Sequence, residues 1–245
     1  MLTAATEQLA RIGYSDSAGN AIVSAMSKIY LPSHGPEDWK ALLADPEKHW
    51  RSGYSARTLA ACWEAAQGLP PEISRFFLGN VDLLLALPEH KVPIPPRGRD
   101  SQNDVFVLVR HVDQTVSLMI EGKVEEPFGP LVGEWLSDGS EGKRQRLGWI
   151  CEQLGLDSET VNHLRYQLLH RTVSAIIEMH RFKTDRAAMI VHSFSRKKSW
   201  YPDFEAFVSA FDQGPIIDDA STIALPSGES VLLAWATGDF RFLAA

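Results

Sequence analysis

The chain has 245 residues, 44% hydrophobic and 22% charged, a composition that excludes a disordered tail protein, a collagen-like repeat and a disulfide scaffold. Its net charge of -7, from 24 basic and 31 acidic residues, excludes a dedicated polycation but leaves room for a locally basic face. Cys62 and Cys151 stand far apart without C-x-x-C spacing, so they suit a reducing cytosol and form neither a zinc site nor a disulfide framework. Glu7 and the lack of a long apolar run near Met1 argue against a signal peptide, and the longest apolar stretch, 81–87, is far short of the roughly 20 residues of a membrane span. These features predict a cytoplasmic protein without a membrane partner.

In chain order, Ala and Leu at three and four spacing predict helices over 2–12 and 20–30, the second stopped by Leu31-Pro32. Pro36, Glu37 and Asp38 open a short helix with proline and acids in its first turn. Residues 55–67 are the clearest helix, with Leu59, Cys62, Trp63 and Ala66 on one side and Gly68, Pro70 and Pro71 at its end. Residues 81–87 read as a buried strand or a helix end, closed by Pro88, and Pro93, Pro95 and Pro96 make the following segment an extended loop. Residues 104–109 and 115–120 are β-rich and separated by a polar turn at Asp113-Gln114, which predicts a hairpin.

Helical periodicity returns between 129 and 180 in two or three pieces, the last over 158–179. A strand at 187–192 follows, then an amphipathic run carrying Phe204, Phe207 and Phe211. Two short strands near 222–225 and 231–236 are joined by Pro226-Ser227-Gly228. The organisation expected is a single α/β domain: a helical N-terminal extension (1–54), a core (55–195) and a C-terminal helix with a β-hairpin (196–245).

The sharpest chemical feature is Glu121-Gly122-Lys123 at the end of an apolar strand, with Asp104 opening the strand before it. Paired as a hairpin, these strands bring Asp104 and Glu121 close, and two carboxylates suit Mg²⁺, a hard cation that keeps several waters. Lys123 shares a face with Glu121 through the strand period of two, where its ammonium can offset phosphate charge and position a water. The pattern Glu-x-Lys is weak alone. Glu89-His90-Lys91 lies between prolines with no strand to project it, and Glu141-Gly142-Lys143 lies in a polar, turn-like segment.

The order helix 55–67, strand 81–87, strand 104–109 with Asp104, strand 115–123 with Glu121 and Lys123, helix 158–179 and strand 187–192 resembles the PD-(D/E)xK, restriction-endonuclease-like, nuclease superfamily. The resemblance covers roughly residues 55–195. It departs at Asn103, where that pattern has Pro, and in the length of chain between Glu121 and the strand at 187. It implies a central mixed sheet flanked by helices, Asp104 and Glu121 as ligands of Mg²⁺ (or Mn²⁺), Lys123 as the catalytic lysine, and DNA as substrate. The stretches Ser101–Asp104 and Glu121–Gly129 also look like an uncharacterised bacterial protein family.

Gln167 and Arg171, four apart on one helix, are candidates to touch a phosphate, and Glu64 is a candidate third carboxylate. Glu125 and Glu126 read as loop acids ahead of Pro127. Residues 141–200 carry eleven Lys and Arg against six acids, leaving the rest of the chain at -12. Within them Arg196, Lys197 and Lys198, beside Trp200 and Tyr201, suit a nucleic-acid backbone. Gly139–Arg144 is no phosphate-binding loop, and Gly53–Arg57 is no nucleophile elbow. The expectation is a Mg²⁺-dependent DNA phosphodiesterase, acting as a homodimer if it cuts both strands. The alternative is a non-catalytic interaction protein built on the same α/β core.

Overall fold

Segments of alternating and continuous apolar character pair into one six-stranded mixed sheet in a computed structural model that describes residues 33–245 apart from Arg97. The helices expected over 2–12 and 20–30 lie outside the described residues. The strands are β1 (Val81–Val92), β2 (Ser101–His111), β3 (Gln114–Lys123), β4 (Arg186–Ser193), β5 (Ala220–Ala224) and β6 (Ser230–Thr237), in the order β1-β2-β3-β4-β6-β5. β1, β2 and β3 form an antiparallel meander, β4 lies parallel to β3, β6 parallel to β4, and β5 antiparallel to β6.

Seven α-helices flank the sheet among the described residues: α1 (Pro46–His49), α2 (Ser55–Ala66), α3 (Pro71–Ser74), α4 (Val132–Trp135), α5 (Glu141–Leu154), α6 (Tyr166–Phe182) and α7 (Tyr201–Ser209). The longest, α6, buries Leu168, Leu169, Val173 and Ile176 against Phe106, Leu108, Met119 and Val191 of the sheet. The opposite face carries Val105, Val107, Ile120 and Ile190, covered by Leu59 and Trp63 of α2, Ile73 of α3 and Trp39. Each such fully buried side chain contributes roughly 1.5–3 kcal/mol, so the two layers clamp the central strands from both sides. Among the described residues no helix is long and apolar enough to cross a membrane.

Several boundaries differ from the sequence reading. Pro88 does not end β1, which runs on to Val92 with Pro88 opposite Val105. β1 is the edge of the sheet, where a missing N–H costs no ladder bond. Glu141–Lys143 is not a turn but the start of α5, where the Ser140 hydroxyl accepts from the Lys143 N–H as a cap. The helix expected over 158–179 begins at Tyr166, after a 3₁₀ turn at Val161–His163 and an extended Leu164. It ends where Lys183 turns left-handed, with His180 and Arg181 in the last turn.

Candidate active site

The β-register builds the site. In the β1–β2 ladder Pro88 faces Val105 and His90 faces Asn103, which sets Glu89 opposite Asp104. The β2–β3 ladder has Val105 facing Ile120, and its next step sets Asp104 opposite Glu121. Three acids therefore come together from three neighbouring strands. Alternation places Glu89, Gln102, Asp104, Glu121 and Lys123 on the face that α6 covers, and all five line one cavity of about 450 Å³. Leu43, Ala44 and His49 line the same cavity, so the N-terminal extension contributes to its wall.

Gly122, between Glu121 and Lys123, points to the other face. A Cβ there would lie 3.1 Å from Leu59 Cδ2 and 3.3 Å from Asp104 Oδ2, so a larger residue would have to push one of them aside. Its backbone N–H donates to Asp104 Oδ2 at 2.7 Å, which orients that carboxylate. Glu121 is 2% exposed and fully engaged. Its Oε1 accepts from Lys123 Nζ and from Gln167 Nε2 (2.9 Å), and its Oε2 accepts from Arg171 Nε (2.6 Å). Arg171 also donates through NH1 to Ser101 Oγ (3.0 Å), which meets His170 Nδ1 at 2.8 Å. Gln102 Nε2 donates to Glu89 Oε2 at 2.7 Å.

Electrostatics divides the three acids. Burial, and then the neighbouring Glu121, pushes Asp104 up to about 7. Burial and the facing Asp104 push Glu89 up to about 8. Burial acts on Glu121 in the same direction, but the Arg171 guanidinium and Lys123 ammonium together outweigh it and hold this carboxyl below the usual range. Burial, reinforced by the Arg171 and Arg146 guanidiniums, keeps His170 neutral.

The structure thus brings together Asp104, Glu121, Lys123, Gln167 and Arg171. Lys123 is not an exposed cleft residue: it is 4% exposed, paired with Glu121 and 5.0 Å above the Phe128 ring. Glu64 stands apart from the cavity, where it accepts from Trp39 Nε1 (2.7 Å) and the Ser33 hydroxyl and so anchors the segment before α1. Glu126 caps α2 by accepting from the Ser55 N–H (2.5 Å), and Glu125 accepts from Ser195 and Ser199 hydroxyls. Arg196, Lys197 and Lys198 are exposed on the loop after β4. That loop leaves the sheet beside Lys123, whose carbonyl accepts from the Phe194 N–H at 2.7 Å. The aromatics beside it are packing groups: Trp200 donates to the Glu125 carbonyl, and Tyr201 meets Trp235 edge-on.

Glu89 is the residue the sequence reading missed. Its signal was the period of two continuing through Leu85, Leu87 and Glu89 despite Pro88. A second polar cluster lies on the α2 face. Cys62, Glu72 and His192 are the described His, Cys and acidic groups that come within 4.8 Å of one another as a set of three. One oxygen, Glu72 Oε1, accepts from His192 Nε2 (2.9 Å) and Cys62 Sγ (3.5 Å), and burial keeps the thiol protonated by raising it.

A family model described as a domain of unknown function (DUF6946) matches residues 32–240. The chain belongs to that family. No curated protein and no solved structure matches it.

Proposed function

We propose that the chain is a Mg²⁺-dependent phosphodiesterase of the restriction-endonuclease-like type, cutting DNA at the cavity under α6. The observation that carries this reading is the row Glu89–Asp104–Glu121 on adjacent strands, with Lys123 two residues beyond Glu121 on the same face. The order of elements supports it: a helix, a three-stranded meander, a helix, and a strand parallel to the third. The loop bearing Arg196, Lys197 and Lys198 adds exposed cations at the same end of the sheet, suited to a nucleic-acid backbone.

The donor set fits a hard divalent cation. Burial, and then their acidic neighbours, push Asp104 up to about 7 and Glu89 up to about 8, so positive charge between them relieves the site. Mg²⁺ asks for only one or two carboxylates and otherwise keeps water. Asp104 and Glu121 would hold it, with Glu89 beside them, and when bound it supplies Lewis-acid stabilisation of phosphoryl charge and an activated water. The chain's own residues do the rest. Gly122 N–H fixes Asp104, Arg171 and Gln167 hold Glu121 in one orientation, and Lys123 offsets charge at the phosphate and orients the water.

One observation favours a second reading, a non-catalytic protein in which the site is only an internal charge network: both Glu121 oxygens already accept from buried donors. A cleavage assay separates the two. Plasmid and labelled single-stranded DNA are incubated with Mg²⁺ or Mn²⁺ and wild type, Asp104→Asn or Lys123→Met. Metal-dependent cleavage lost in both variants supports the enzyme; no cleavage by wild type, or equal cleavage by all three, overturns it.

A further inference from the structure

A second cavity, of about 480 Å³, adjoins the first and shares Gln102, Tyr166, His170 and Arg171 with it. Its own wall comes from the segment entering β2 and from the first turns of α5, which present Arg99, Lys143 and Arg146. Asp100, exposed, is the one acid among its lining residues. Lys143 is already paired, with Asp138 at 2.7 Å, and Arg171 with Glu121.

Arg146 is different. It is only 8% exposed, a degree of burial at which a guanidinium normally faces a carboxylate. Among the described residues it has none. Its hydrogen bonds go to neutral oxygens, from Nε to the Tyr166 hydroxyl (3.0 Å) and from NH2 to the Arg99 carbonyl (2.8 Å), leaving three of its five N–H donors. Gly98 leaves room for it: a Cβ there would sit 2.9 Å from NH1. A buried fork held by two hydrogen bonds, with no carboxylate partner among the described residues and opening on a cavity, has the recognition chemistry for a phosphate.

We propose that this second cavity is a nucleotide subsite in which Arg146 binds the phosphate next to the scissile one. The proposal rests on the nuclease reading, since the shared wall of Gln102, His170 and Arg171 puts the two cavities side by side along one strand. The rest of the volume, bounded by Trp135, Tyr166 and Pro96, takes the sugar and base. Ser101 links the two cavities, touching both His170 and Arg171.

The test uses the whole chain without metal, in EDTA, so that binding is read apart from cleavage. Thymidine 3′,5′-bisphosphate, thymidine and inorganic phosphate are titrated by calorimetry into wild type, Arg146→Gln, Arg146→Lys and Lys91→Met. The bisphosphate is expected to bind wild type, to bind Arg146→Gln at least about tenfold more weakly, and to bind Lys91→Met, a change at an exposed lysine of β1 that lines neither cavity, within about twofold of wild type, since an Arg–phosphate fork is worth on the order of a factor of ten or more. Circular dichroism checks each fold, and Arg146→Lys, which keeps the charge but loses the fork, decides if Arg146→Gln does not fold; it is expected to weaken binding. Equal binding by wild type and the Arg146 variants, no binding by wild type, or as large a loss in Lys91→Met overturns the subsite. Inorganic phosphate binding as tightly as the bisphosphate, with the same dependence on Arg146, overturns the nucleotide assignment. Bisphosphate binding that depends on Arg146 in a protein that cleaves no DNA keeps the subsite and refutes only the nuclease reading.

Discussion

Replacing Glu89 by Gln should make the metal-free protein more stable, and only above mildly acidic pH. The carboxyl titrates near 4.5 in an unfolded chain and is pushed up to about 8 in the folded one, first by burial and then by Asp104 across the strand. Below pH 4.5 both states hold the proton and Glu89 imposes no pH-dependent penalty. Between those two values the unfolded chain releases a proton that the folded chain keeps, so stability falls by about 1.4 kcal/mol per pH unit. At about pH 7.5 the ceiling is about 4 kcal/mol, and relaxation shared with Asp104 reduces the expected gain on substitution to about 2 kcal/mol. In a chain of this size that corresponds to a rise of about 4–8 °C in melting temperature. Gln keeps an oxygen for the Gln102 amide, so the hydrogen bond survives. Urea unfolding in EDTA at several pH values, wild type against Glu89→Gln, measures the difference directly. A gap that is the same at pH 5 and pH 7.5, or a variant less stable than wild type at the higher pH, would refute the reasoning.

Arg171→Met strips a buried carboxylate of one of its two cations and should cost about 3–5 kcal/mol, read by chemical unfolding, with Arg171→Lys recovering part of it. Lys123→Met keeps the stem over Phe128 but removes the other cation, so any loss of cleavage should come with a measurable loss of stability of about 1–3 kcal/mol. Gly122→Ala pushes a methyl against Leu59 and Asp104 and should cost about 1–3 kcal/mol, less than additively in combination with Leu59→Val. Glu72, which burial would raise, is instead held down to about 2 by the His192 hydrogen bond. Its contribution is complete above its ordinary 4.5 and disappears as pH falls through about 2, so Glu72→Gln should flatten the acid limb of unfolding.

The β2–β3 hairpin and the strand after α6 were legible because β-branched runs, a polar turn and a returning helical period carry their own local signals. Asp104, Glu121 and Lys123 stood out for the same reason: charge at the end of an otherwise apolar strand. Glu89 was hidden because Pro88 reads as a strand end, and whether a strand is an edge is set by pairing far along the chain. Glu64 was misjudged for a related reason, since its partner Trp39 lies outside the helix that carries it. The lock on Glu121 is non-local too: Gln167 and Arg171 share a helix face by spacing, but nothing in that spacing says which acid they meet. Arg146 was visible only as one more cation in a basic stretch, because burial without a counter-charge is a property of packing.

The row of acids has a consequence for the order in which the protein is made. Glu89, Asp104 and Glu121 all belong to the meander, which leaves the ribosome as one continuous stretch, whereas Arg171 follows Glu121 by 50 residues. Vectorial synthesis therefore delivers the like charges first and their strongest counter-charge last. Until α6 is complete, the three strands lack both the guanidinium and the apolar face that cover this end of the sheet. Before then water still reaches these carboxyls, so the burial that pushes Glu89 and Asp104 up begins only when the helix that roofs the site arrives.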